Sequence, residues 1–99
     1  MVIWSIPAKH DLKNIHDYIA CNSKYYALKV SQKFIEKSEG LIEFPKMGRI
    51  VPEIGDPKIR ELIIYSYRLI YEISPNRIEI LSIIHGKQNF SGDLDELRK

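Results

Sequence analysis

Arg68 sits inside a run that otherwise reads as a β-strand, YRLIYEI (67–73), and it is the first residue whose type could do chemistry. By alternation it shares a face with Ile70 and Glu72, while Tyr67, Leu69, Tyr71 and Ile73 point the other way. A guanidinium on a rigid strand can grip a phosphate or carboxylate through two parallel hydrogen bonds. The more ordinary role is a half-exposed sheet arginine paired with Glu72 or Glu61. His85 ends a second apolar run, RIEILSIIH (77–85), where an imidazole can act as acid or base near neutral pH. The commoner fate of such a residue is an edge histidine with a backbone hydrogen bond. Lys87 and Gln88 follow, and both types are ordinary on any surface.

The other constellations are plainer. Lys29, Lys33 and Lys37 repeat every four residues and form one stripe on a helix. Such a stripe is most often a solvated face, and the alternative is a docking stripe for an acidic partner. His10 and His16 are six apart, which places them on different helix faces. With one cysteine, Cys21, and no HExxH or CxxC spacing, no metal site and no cofactor is expected. No spacing suggests a Ser-His-Asp or Cys-His arrangement. The stretch from Gly48 to Glu53 lacks a phosphate-cradling glycine pattern and reads as a structured loop around Arg49.

These residues need a scaffold, and periodicity supplies one. Val2, Trp4 and Ile6 alternate as a first strand, and Ser5 with Pro7 punctuates a helix start. Ala8, Leu12, Ile15 and Ile19 make one apolar stripe; Asn22 and Ser23 break it from a second, carried by Ala27, Val30, Phe34, Ser38 and Leu41. Pro45 stops that helix. PKMGRIVPEIGDP (45–57), with three prolines and two glycines, reads as loop. Strands are expected over 59–65, 67–73 and 77–85, the first two so close that they must form an antiparallel hairpin. The order β-α-α-β-β-β predicts an α+β fold. Its sheet is mostly antiparallel and four-stranded, with the helical hairpin packed on one face. A single domain is expected over 1–90, followed by a tail, SGDLDELRK (91–99).

Composition excludes more than it selects. A 99-residue chain buries roughly 60–65% of its unfolded surface, so its core is single and its stability modest. No run approaches the ~18 apolar residues of a membrane span, and the N-terminus lacks the pattern of a signal peptide. One cysteine fits a reducing cytoplasm. A net charge of +2 permits an acidic or nucleic-acid partner without demanding one.

Four pieces in order, AKHDLKNIHDYI, GRIVPEIGDPKIREL, YRLIYEI and IEILSIIHGKQNF, resemble the ParE/RelE family of toxins from bacterial type II toxin–antitoxin pairs. The resemblance runs from about Ile3 to Phe90. It implies a RelE/ParE-like fold, growth arrest, and a cognate antitoxin that lays an extended or helical segment across the toxin and itself contacts operator DNA. Lys29, Lys33 and Lys37 become candidate antitoxin contacts on this reading.

The family splits by target. The RelE pattern for messenger RNA cleavage on the ribosome uses lysines on the strand after the helices, the YR-L-x-Y arginine, an arginine after Gly-Lys and a later tyrosine. Only Arg68 matches: Ile59 and Glu61 stand where the lysines would, Gln88 follows Gly86-Lys87, and no tyrosine follows Tyr71. A YoeB-like nuclease would assign Glu53, Arg68 and His85 as base, phosphate clamp and acid, with the histidine shifted by about a residue and Gly86 replacing the tyrosine after it. The GR-x-VPE-x-G loop and the IEI…HG ending look most like the ParE branch, whose members poison DNA gyrase without a catalytic constellation. There Arg49, Arg68, His85, Lys87 and Gln88 would belong to a contact surface. An arginine often stands near Lys87 or Gln88 in that branch, and this chain lacks it.

Overall fold

Ser5 both ends the first strand and begins the first helix. The computed structural model describes residues 1–86. The Ser5 hydroxyl accepts the Ala8 N–H at 3.2 Å, and Pro7 occupies the first helical turn, where a missing N–H costs nothing. This joins β1 (Val2–Trp4) to α1 (Ile6–Ala20), so the first strand stops two residues short of Ile6. Ser23 repeats the device for α2 (Lys24–Gly40), its hydroxyl accepting the Tyr26 N–H at 3.1 Å. The remaining elements are β2 (Arg49–Ile50), β3 (Ile59–Ile64), β4 (Tyr67–Ser74) and β5 (Arg77–His85).

The strands form one sheet in the order β1-β5-β4-β3-β2. Three pairings are antiparallel, and β1 runs parallel to β5. The sheet thus has five strands where four are expected. The addition is β2, two residues within the Pro- and Gly-rich stretch that reads as loop. Two residues cannot display a period of two, so no sequence pattern marks this strand. It forms because Gly48 lets the chain approach β3 closely: a Cβ there would press on the Glu61 carbonyl oxygen and sit 2.7 Å from the Tyr71 hydroxyl. That hydroxyl accepts the Gly48 N–H at 3.0 Å and donates to the Pro45 carbonyl at 2.6 Å, tying the stretch to β4.

The helical hairpin covers one face of the sheet, as expected. Ala8, Val30, Phe34, Leu69, Tyr71 and Ile80 are among its core. On the other face Val51, Ile59, Ile70 and Leu81 form a smaller cluster with Ile54. The segment after β2 therefore acts as a lid on the face without helices.

An irregularity in β5 decides which side chains share a face. Ile70 pairs with Ser82 and Tyr71 with Ile80, leaving Leu81 as an extra residue. The bulge frees backbone groups, and the N-terminal elements take them up. Ser5 Oγ donates to the Leu81 carbonyl at 3.1 Å. Asp11 Oδ2 accepts the Ile83 N–H at 3.0 Å and the Ser82 hydroxyl at 2.9 Å. Asp11→Ala should cost about 1–3 kcal/mol in urea unfolding, because two donors lose their acceptor. Wild-type stability in that variant would mean that strand pairing alone holds the bulge.

Candidate functional site

Arg68 lies on the face without helices and is buried, not half-exposed as its position in an amphipathic strand suggests. Its side chain is saturated. Nε donates to Glu61 Oε1 at 2.9 Å, and Nη2 also reaches that oxygen. Nη1 and Nη2 each meet one oxygen of Glu53 at 2.8 Å, a two-pronged pair with the lid segment. Glu61 is fully buried on β3, and its other oxygen accepts Nε of Arg49 at 2.6 Å. The result is an alternating chain of charges, Arg49–Glu61–Arg68–Glu53, running from solvent into the sheet and back to the lid. The Glu53 carboxylate, and Glu61 after it, hold the Arg68 guanidinium above its ordinary pKa, against the pull of desolvation.

Such an arrangement fixes a loop to a sheet, and it leaves Arg68 no ready fork for a phosphate. A ligand phosphate would have to displace two carboxylates, one of them fully buried. Arg49 differs. Its side chain is 64% exposed although Nε is anchored by Glu61, so the buried carboxylate orients a guanidinium that faces water.

The structure brings Glu53 and Arg68 together and takes His85 elsewhere. His85 pairs with Tyr67 across the strands, while Arg68 pairs with Ile84. Successive residues alternate in face, so His85 projects toward the helices and Arg68 away from them. The His85 ring sits edge-on to Tyr67 at 5.8 Å, and Tyr67 sits edge-on to Phe34 at 5.7 Å. Without the extra residue at Leu81, strict alternation would have given His85 the face of Glu79 and of Arg68. Lys87 and Gln88 lie outside the described residues, as does the tail. Among the described residues, no three His, Cys, Asp or Glu side chains are grouped to hold a metal ion. No helix there is long and apolar enough to cross a membrane.

A second feature lies on the helical side, at the β1 edge. A groove of about 570 Å³ opens between β1, α1 and α2, with Val2, Trp4, Leu12 and Ile35 as its apolar lining and Lys9 and Lys13 along the α1 side. Met1 O accepts from Ile78 N–H and Ser5 N–H donates to Ile80 O, so the odd residues of β1 face β5. The alternation of a parallel ladder then turns the Val2 and Trp4 amides toward the open edge. Sequence reasoning missed this groove, although Val2, Trp4 and Leu12 were legible as apolar. None of Lys29, Lys33 and Lys37 lines it. The residues that α2 contributes, including Ser31 and Ile35, lie about 180° around the helix from that lysine stripe.

The fold and these surfaces define a small α+β domain that presents an ion-latched lid on one face and an apolar groove beside a sheet edge on the other. Comparison with known proteins then gives the family. The profile described as ParE toxin of type II toxin-antitoxin system, parDE, matches residues 2–90, and the chain belongs to this family. A solved structure described as a chromosomal ParDE toxin–antitoxin system from P. aeruginosa is similar, with 25% identity and a TM-score of 0.70, over 85% of this chain and 92% of that one. No curated protein matches the chain.

Proposed function

We propose that this ParE-family chain arrests growth by binding DNA gyrase, without catalysing RNA cleavage, and that a cognate antitoxin neutralises it by occupying the groove beside β1. The observation that carries the non-catalytic reading is the saturation of Arg68 by Glu53 and Glu61, with His85 on the opposite face. General acid–base cleavage needs its groups within reach of one phosphate. Here the clamp is spent on the lid and the proposed acid is across the sheet. Arg49 is the better target contact, since its guanidinium is oriented from beneath and open to solvent. Support for the antitoxin seat comes from the groove itself. Its apolar lining and the unpaired direction of the β1 amides suit an amphipathic segment that can add a strand or lay down a helix, with Lys9 on the α1 side and Glu39 on the α2 side as its charged margins.

The test is expression of the chain without antitoxin, with SOS induction and primer-extension mapping of mRNA ends read in one culture. SOS induction with intact transcripts is expected. Cut transcripts without early SOS induction would overturn the gyrase reading in favour of ribosome-dependent mRNA cleavage. His85→Ala should retain growth arrest with SOS induction, weakened at most by the loss of one exposed surface contact, because no proton transfer is asked of that ring. Loss of arrest in a variant that still folds and binds antitoxin would restore His85 to the mechanism.

A further inference from the structure

The lysine stripe of α2 is left without a role by the groove and by the ion network. Lys29, Lys33 and Lys37, with Tyr26 among them, fall within about 80° of one another around the helix. Lys29 and Lys37 are exposed and Lys33 half-buried. Among the described residues none of the three is in an ion pair, although Glu36 lies at the margin of the stripe; Lys13 on α1, by contrast, is bonded to Asp17 at 2.7 Å. Lys29 Nζ instead stands 5.3 Å from the centroid of the exposed Tyr25 ring, a contact that leaves its charge available.

We propose that this flank of α2 binds the phosphate backbone of duplex DNA. Three lysines in a row rise about 6 Å per step and span about 12 Å, a length that faces three or four phosphates at one per 3.4 Å of axis in each strand. Lysine, together with tyrosine hydroxyls, is a usual phosphate-contacting set, whereas lysine is depleted from protein–protein interfaces. The stripe is on the side of α2 opposite the groove, so a segment seated there would leave it open, and a toxin held in its antitoxin complex could still touch DNA. The proposal does not depend on gyrase being the target.

The experiment is fluorescence anisotropy of a 30-bp random-sequence duplex titrated with the full chain over a range of salt. Three phosphate contacts predict a log–log salt slope of about −2.7, or roughly 40-fold weaker binding at 200 mM than at 50 mM. The triple variant Lys29→Gln, Lys33→Gln, Lys37→Gln should flatten the slope and weaken binding at least ~10-fold at 50 mM salt. The double variant Lys9→Gln, Lys13→Gln, on the groove side, should change little, and thermal melting confirms that both variants fold. An absent or salt-independent wild-type signal would overturn the proposal. So would losses in the double variant equal to those in the triple. Equal or tighter binding of poly-glutamate, or of a single strand of the same length, would overturn it too, the former in favour of an acidic protein partner.

Discussion

Arg68→Ala should unfold the chain before it disarms the toxin. The substitution leaves Glu61, a fully buried carboxylate, with the solvent-facing Arg49, and it removes the two-pronged pair between Arg68 and Glu53 on the lid. Breaking a buried ion pair from one side costs about 3–5 kcal/mol, because the surviving charge stays buried. That is a large part of the about 5–15 kcal/mol that holds a small domain together. Urea unfolding should therefore show a midpoint lower by about 2 M, at a slope typical of small proteins. Arg68→Lys should fall between, keeping the charge while losing the fork that bonds two carboxylates at once. An unchanged midpoint in Arg68→Ala would show that Glu61 is relieved in another way and that the network does not secure the lid. The consequence for function is direct. Loss of toxicity in an Arg68 variant reports stability, whereas loss in Arg49→Ala, whose side chain is mostly in water, reports contact with the target once an unfolding curve shows that the Glu61 oxygen it leaves has not lowered the midpoint.

How far the sequence could be read follows from what each element needs. The helices and the three long strands were legible because each carries enough residues to display its period, and the serine caps mark their starts. A pairing of Arg68 with Glu61 or Glu72 is legible, since all three sit on strands of the same hairpin. The depth of that pair was not legible. Burial of Arg68 depends on the lid, and the lid depends on Gly48 approaching β3 and on Tyr71 reaching Pro45 and Gly48 across 26 and 23 residues. No local pattern announces contacts at that separation. The placement of His85 was hidden for a different reason. One extra residue at Leu81 reverses the phase of everything after it, and within the apolar run ILSII either phase buries isoleucine. Ser5 and Asp11, which satisfy the bulge, gave no signal of their own, because Ser5 also fits the helix cap it forms and Asp11 reads as an ordinary polar residue on the helix, 72 residues from its Ile83 partner. The candidate nuclease constellation was thus legible as residue types, but its geometry rested on one unpaired residue.

The groove beside β1 leads to the other large effect, since a charge placed there should separate toxin from antitoxin while sparing the fold. Ile35 lines the groove and is 44% exposed in the chain alone, so Ile35→Asp removes little from the core. Against a seated apolar segment the same change removes the contact and buries a carboxylate with no partner. A loss of at least ~100-fold in antitoxin affinity is expected, equivalent to about 2.8 kcal/mol. Lys37→Glu reverses a full charge on the opposite side of the same helix and should leave that affinity within about threefold, consistent with the small effect of a distant surface charge. Calorimetric titration with the cognate antitoxin reads both. In cells, co-expressed antitoxin should rescue growth for Lys37→Glu and fail for Ile35→Asp. The reverse pattern would move the antitoxin to the lysine flank and, with it, withdraw that flank from DNA. Because the two surfaces lie on opposite sides of α2, one pair of variants decides which of them seats the antitoxin.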